Sequence, residues 1–257
     1  MARELSAAAI TAGLKTTLIG QKISYYHSLP STMDAARREI LQGAAAGTVI
    51  IAGEQTRGRG RRQRTWLTPA GNIALSIILF PDIKALPYLI MIASLAAAQS
   101  IETITGVKTQ IKWPNDVLVN GKKVCGILTE NEVKGKATSS IIGIGINIDL
   151  KVADYAEIAD TAASLKSLPN KDDLRVQLIR SLLTQFERLY LQLPDGKSIF
   201  EAWRNRLVTL GQKVKATAGN QIIEGTAESV DASGALAIRG ADGTLTRVVA
   251  GDVTLRR

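Results

Sequence analysis

"EQTRGRGRRQRTW", Glu54–Trp66, stands between two apolar runs, "GTVIIAGEQ" before it and "GNIALSIILF" after it. Its middle eight residues, Arg57–Arg64, hold five arginines, two glycines and no acid. The whole chain carries a net charge of +9, so this stretch supplies more than half of the excess. A basic balance spread along the chain would favour bulk nucleic-acid binding, whereas a local excess points to a basic site. Basic tails commonly stand at a terminus, and this run is bracketed by strands. Gly58 and Gly60 alternate with arginines, so the backbone can turn tightly while the guanidinium groups fan out. Glycine also lets amide N–H groups approach an anion, and a guanidinium can grip phosphate through two parallel hydrogen bonds. Two readings fit this composition: a solvated basic loop, or an anion-gripping loop held on a sheet.

The rest of the chain supplies that sheet. It has 257 residues, 46% of them hydrophobic, enough for one sizeable core and a small second one. "LSAAAITAGLKTTLIG" reads as a helix with Ser6 as its cap, and "KISYYHSL" as a strand. "STMDAARREILQG" is a short amphipathic helix, with Asp34 three residues after Ser31 and Gly43 in the terminating place. The runs on either side of the arginines are strands, and Pro87 to about Thr105 is a buried helix. In "DVLVNGKKVCGILTENEV" the Asn120-Gly121 pair between two strand-like runs predicts a hairpin, with "SSIIGIGINI" as a further strand beside it. Lys171–Gln192 and "IFEAWRNRL" are helical by period. After Gly211 come short strand-like runs cut by Gly-Asn, Ser-Gly and Asp-Gly turns, the pattern of a small antiparallel barrel. Its charges nearly balance, which argues against a nucleic-acid module there. The expected fold is α/β (α+β), a mixed sheet with helices packed on one side, followed by a small SH3-like β-barrel. The expected units are residues 1–208 and 209–257.

Composition closes several chemistries. One cysteine, Cys125, cannot form an intrachain disulfide and suits a reducing compartment, here the cytoplasm. With one histidine, His27, there is no Cys/His zinc site and no protein-only metal site is expected. A Ser-His-Asp triad would need His27, and no nucleophile-elbow pattern accompanies it. "MARELSAAAI" has no long apolar segment of the signal-peptide kind. The apolar run Ala85–Ala98 reads as too short to span a bilayer, so no membrane is expected.

Five segments occur in one order: "STMD", "GRGRRQRTW", "IKWPNDV" (Ile111–Val117), "GKKVCGILTE" (Gly121–Glu130) and "GIGIN" (Gly143–Asn147). Each is weak alone. The ordered set, above all Lys-Trp-Pro-Asn-Asp joined to the arginine-glycine loop, resembles the biotin protein ligase family. The likeness runs from "LSAAAI" through the C-terminal barrel. It implies two steps: biotin and ATP, with Mg²⁺, give biotinyl-5′-adenylate and pyrophosphate, and the adenylate then acylates a lysine of a biotin carboxyl carrier domain. It also suggests a homodimer formed by sheet pairing. Some members are repressors through an N-terminal helix-turn-helix domain; too few residues precede "LSAAAI" for one here, so no DNA partner is expected. The chemistry suits the residues on their own terms. Carboxylate attack on an α-phosphate brings two anions together, and a cationic, water-excluding loop lowers that barrier. Charge-assisted hydrogen bonds contribute about 1.5–3 kcal/mol each.

The resemblance assigns roles position by position. Ser31 and Thr32 match biotin-contacting hydroxyls, and Gln55 a biotin-contacting amide. Met33 departs from the asparagine often found there. Arg59, Gly60 and Arg61 match residues that close over biotin and phosphate, and Arg64 and Trp66 complete the loop on the nucleotide side. Gln63 replaces a glycine common in the motif, which stiffens the loop. Lys123 matches the active-site lysine, while Lys122 faces solvent, because adjacent strand residues point to opposite faces. Without the likeness, Lys123 reads as a hairpin surface lysine. Asp116 is a candidate for orienting the acceptor lysine and equally a turn residue after Pro114. Asn115 is a candidate for the nucleotide side and Asn147 for the nucleotide or metal side, and Cys125 is core. With five like charges and no anion of its own, the loop is expected to be mobile until a ligand binds. The rivals are a lipoate- or octanoate-type ligase, which shares the fold and acyl chemistry, and a nucleic-acid-binding protein using Arg57–Arg64.

Overall fold

The computed structural model describes residues 5–165, 171–219 and 221–255. The start of "MARELSAAAI", the Gln63 side chain, Asn220 of the Gly-Asn turn, Arg256 and Arg257 lie outside the described residues. Among the described residues, twelve strands and five α-helices follow in order. The larger sheet uses β1 (Ile23–Leu29), β2 (Val49–Gln55), β3 (Ile73–Leu79), β4 (Gln110–Lys112), β5 (Asp116–Val119), β6 (Lys122–Lys134) and β7 (Ala137–Ile146). Its spatial order is β1-β2-β3-β7-β6-β5-β4. Only the β1–β2 pair is parallel; every other neighbour is antiparallel, so the sheet is mixed as expected. Asn120 and Gly121 both take positive φ, as a tight hairpin between β5 and β6 demands.

Side-chain alternation splits the sheet into two faces. Val49 and Ile51 of β2, Leu75 and Ile77 of β3, and Ile142 and Ile144 of β7 join one large core under α3 (Leu86–Thr105) and α4 (Lys171–Tyr190). Ile50, Ala52, Ile78 and Ile141 join a second, smaller core against α2 (Thr32–Leu41). The helices thus lie on both faces, which corrects the one-sided arrangement expected: the strands are apolar at successive positions, and each face needs a cover. α2 covers only part of its face. The uncovered remainder, floored by Gly126, Gly143 and Gly145, is where the site lies.

The first helix differs in length from the sequence reading: α1 spans only Ala7–Thr11. Ser6 caps it through the Ala9 amide, but Gly13 turns at φ +107. Glu187 of α4 then takes the amides of Thr17, Leu18 and Ile19, which a continuing helix would have used. α3, Leu86–Thr105, is the buried helix expected from Pro87 to about Thr105. By length and composition, Ile83–Thr105 passes for a membrane span, since about 1.5 Å per residue carries it past 30 Å. Yet 61% of that apolar window is buried inside the molecule, so α3 is its central core helix.

α5 (Gly196–Arg204) leads into a second sheet of β8 (Lys213–Ala218), β9 (Gln221–Val230), β10 (Leu236–Arg239), β11 (Leu245–Val248) and β12 (Asp252–Leu255), in the order β11-β10-β9-β8-β12. β11 and β12 sit at opposite ends of that order, yet Val248 and Asp252 are four Cα steps apart. Four steps reach about 15 Å, whereas the outer strands of a flat five-stranded sheet stand about 19 Å apart. The sheet therefore curls into the expected barrel. It docks on the larger sheet through Trp113, whose backbone amide donates to the Thr209 hydroxyl at 2.9 Å and whose indole N–H donates to the Gly234 carbonyl at 2.8 Å. Residues 206–208 pair with Ile111 and cover the β4 edge. Three-residue β4 was too short to read from the sequence.

Candidate active site

One cavity of about 1330 Å³ lies on the glycine-floored face. That exceeds the roughly 300–1,000 Å³ of common small-molecule sites and leaves room for two substrates side by side. One end of it is built at the start of α2. Ser31 sits in the cap position, buried, and its hydroxyl neither caps the helix nor meets any other partner. The Thr32 amide and hydroxyl both donate to the Gln55 side-chain oxygen, at 2.8 and 3.1 Å, and Ser76 of β3 donates to the Thr32 hydroxyl at 2.8 Å. Gln55 in turn donates to Thr68. Beside this fixed polar row the Ser31 oxygen is buried without a hydrogen-bond partner, on a residue that lines the cavity. Ser76 and Thr68 were not read from the sequence; an apolar strand gave no cue to the one and a loop none to the other. Met33, buried beside them, lays its sulfur against the Gly143 backbone, where an added Cβ would sit 2.7 Å from Sδ. The wall there is apolar.

The middle of the cavity is organised by Trp66. Its ring lies flat on β6 and β7: a Cβ on Gly145 would come within 2.1 Å of the indole nitrogen, and one on Gly126 within 2.9 Å of the ring. Those glycines are therefore required by the close approach of the ring. Lys123 projects over the same ring, with Nζ 5.1 Å from its centroid, and ion-pairs with Asp116 at 2.7 Å. The β5–β6 register shifts by a bulge between Val117 and Leu118, which turns Lys123 inward while Lys122 stays exposed. Asn115 donates to the Ile127 carbonyl at 2.7 Å and accepts from the Arg61 guanidinium at 3.2 Å.

The arginine stretch forms the roof. Arg59 ion-pairs with Asp34 of α2 at 2.7 Å and, at 3.6 Å, with Glu130 of β6. Arg64 ion-pairs with Asp252 of the barrel at 2.7 Å, and Arg62 reaches the same carboxylate at 3.9 Å. The Gly60 amide donates to the Arg64 carbonyl, closing a tight loop in which Arg62 takes a left-handed φ of 54. Asp34, Glu130 and Asp252, from three elements, offset part of the five charges, which the sequence reading left to a bound anion alone. Four of the five guanidinium groups are directed to the chain itself, which answers against a free basic tail. Arg61, at the cavity's roof, has only a neutral partner; burial lowers its pKa from the ordinary arginine value, while Asp252 and Asp116 pull it up.

The remaining wall is the segment after β7, which the sequence reading left unassigned. Tyr155, Ile158, Thr161 and Ala162 line the cavity. The Lys123 amide donates to the Thr161 carbonyl and the Ala163 amide to the Lys123 carbonyl, both at 2.8 Å. Asn147 donates to the Ala163 carbonyl at 3.1 Å, so it fastens this strap to the strand that carries Lys123. The segment lacks periodicity, which is why no sequence signal marks it. Cys125 is fully buried and burial pushes its thiol up, consistent with core. His27 is exposed on β1 and does not line the cavity. Among the described residues, no group of three or more His, Cys, Asp or Glu side chains could hold a metal ion.

A polar row at one end, a lysine in the middle and an arginine roof over the rest suit a protein ligase of the biotin/lipoate kind. Residues 25–147 match the model of the biotin/lipoate A/B protein ligase family, and residues 209–256 that of the biotin protein ligase C-terminal domain. The bifunctional ligase/repressor BirA of Bacillus subtilis is 36% identical over 98% of this chain and 79% of its own length. The biotin--[acetyl-CoA-carboxylase] ligase of Paracoccus denitrificans is 34% identical over 82% of this chain and 91% of its own. The solved biotin protein ligase from Aquifex aeolicus, in complex with biotin and ATP, superposes with a TM-score of 0.76, 27% identity, and coverage of 92% of this chain and 99% of that one. The chain belongs to the biotin protein ligases.

Proposed function

We propose that this chain activates biotin with ATP and transfers it to a lysine of a biotin carboxyl carrier domain, with residues 1–208 as the catalytic unit and 209–257 as a barrel that completes the roof. The observation that carries the reading is the orphaned Ser31 hydroxyl at one end of a cavity whose other end is cationic. Ser31, Thr32 and Gln55 hold the polar ring of biotin, and Met33 packs its apolar side. Lys123 meets the carboxylate and the oxygen that will bridge to phosphorus. Arg61 and Arg64, with the backbone of Arg59 and Gly60, close over the phosphate, while Trp66, Asn115 and the strap from Tyr155 to Ala162 wall the nucleotide. Asn147 acts by holding that strap. Asp116, which shares its carboxylate with Lys123, then accepts a hydrogen bond from the acceptor lysine's amino group and orients it.

Mg²⁺ enters with ATP and supplies positive charge to the phosphates. Among the described residues no cluster of three or more His, Cys, Asp or Glu would cage it, and Asp116 and Asp252 are ion-paired to Lys123 and Arg64. The cytoplasm, where ATP and the carrier meet, fits the buried free thiol of Cys125. A homodimer by sheet pairing is supported by β1, which ends the sheet with His27 and Ser28 exposed. The test is incubation with ATP and biotin, then detection of pyrophosphate, adenylate and carrier biotinylation. Activation of lipoate or octanoate instead would reassign the substrate. Steeply salt-dependent nucleic-acid binding without ATP turnover would replace the reading altogether.

A further inference from the structure

Lys112 belongs to the same motif as Asn115 and Asp116 yet has no part in the assignment above. It ends β4, directly opposite Asp116 in the β4–β5 register, so both side chains lie on the cavity face. It lines the cavity. The carboxylates near it are engaged elsewhere: Asp116 pairs with Lys123 and Asp252 with Arg64, and Lys112 makes no ion pair among the described residues. Burial pulls its ammonium below the ordinary lysine value, Asp116 and Asp252 raise it, and Lys123 and Arg64 lower it further. A desolvated cation without a counter-charge is costly unless something else supplies the anion. Its place in the sheet says which anion. The acid end rests on β2, β3 and β7; β4 lies three strands beyond β7, about 14 Å away at the usual strand spacing. Lys112 therefore serves the end remote from the acid.

We propose that Lys112 is a further catalytic residue that grips the β- and γ-phosphates of the nucleotide and stabilises the departing pyrophosphate. The proposal rests on the ligase reading above. In the step concerned, a biotin carboxylate oxygen forms a bond to the α-phosphorus. The bond from that phosphorus to the α,β-bridging oxygen breaks, and its electron pair leaves on pyrophosphate. Lys112 donates hydrogen bonds to that leaving group and keeps its own proton. Once pyrophosphate has gone, Lys112 has no substrate atom to hold, so acyl transfer from the adenylate does not need it.

The experiment compares wild type with Lys112→Met, Lys112→Gln and Lys112→Arg in separate half-reactions. For Met and Gln, kcat/KM for ATP in adenylate formation should fall about 100-fold, and inhibition by inorganic pyrophosphate should weaken at least tenfold. Transfer from supplied biotinyl-5′-adenylate to the carrier domain should stay within twofold, and Arg should recover most of the loss. Folding is checked by a thermal melt, and the transfer assay itself reports a folded site. Equal loss in both half-reactions would mean that Lys112 holds the α-phosphate or the scaffold, and unchanged adenylate formation would mean that it holds nothing; either overturns the proposal. A wild type that forms no adenylate at all would instead overturn the ligase reading.

Discussion

Lys123 draws its chemistry from two neighbours. A lysine on an exposed hairpin is a flexible, hydrated cation; here the Trp66 ring and the Asp116 carboxylate fix its ammonium over the cavity floor. Lys123→Ala should slow adenylate formation by roughly 10²- to 10³-fold, the scale of losing one preorganised electrostatic partner. The melting temperature should move by no more than about 2–4 °C. Pyrophosphate release at saturating biotin, beside a thermal melt, measures both, and a full rate would return Lys123 to a surface role. Arg61 carries a different expectation. Its guanidinium ties the roof to Asn115 and faces the cavity. Arg61→Gly removes that tie and loosens the chain, while Arg59 and Arg64 keep their own carboxylates. Synthesis should persist at a reduced rate, and the adenylate should escape faster, roughly 10- to 100-fold for a charged hydrogen bond of about 1.5–3 kcal/mol. Counting biotinylated lysines on an unrelated bystander protein tests this; no more labelling than with wild type would rule out a lid. Both residues were legible only through the ordered motifs. Periodicity alone made Lys123 a surface residue, because the bulge that turns it inward has no sequence mark.

At the scale of elements, the readable parts are those whose burial is complete. The apolar runs of β2, β3 and β7 and the buried α3 announce themselves because nothing but a core would accept them. What stayed hidden is held by polar side chains from far along the chain. The segment after α1 is such a case: Glu187, on α4, gathers the amides of Thr17, Leu18 and Ile19 into a short anion-binding turn. Burial pushes the Glu187 pKa up, but those amides and the Thr17 hydroxyl more than offset it, and its pKa lies below the ordinary 4.5. A depressed carboxylate pKa contributes stability that is complete above the unfolded value and lost as pH falls through the folded one. Glu187→Gln should therefore destabilise the protein most near neutral pH. The gap to wild type should narrow as pH drops below about 4.5. Urea unfolding at several pH values gives the answer, and a gap that is constant or grows in acid would show that the carboxylate charge is not what holds the segment.

Across the whole molecule, the barrel is more than an appendage, because its Asp252 reaches the arginine roof. A sequence reading could count that aspartate only among nearly balanced barrel charges; no local pattern says which carboxylate of a second sheet will meet a loop of the first. The docking makes it possible: Trp113 bonds to Thr209 and Gly234, and this brings the start of β12 over the cavity beside Arg64 and Arg62. Ion pairs as exposed as these contribute about 0.2–1 kcal/mol each. Two of them together contribute about 1 kcal/mol, close to fivefold in a rate. Asp252→Asn keeps the size and removes the charge. It should speed release of bound adenylate about fivefold and raise KM for ATP by a similar factor, while stability stays within about 0.5 kcal/mol. Arg247→Ala serves as the control, since Arg247 pairs with Asp231 on the barrel and does not line the cavity. It removes another barrel ion pair, a more exposed one at its carboxylate, and should leave release unchanged. The measurement is the half-life of pre-formed adenylate on each variant after dilution. If Asp252→Asn and Arg247→Ala release it at the same rate as wild type, the barrel does not latch the roof, and its docking through Trp113 is purely architectural.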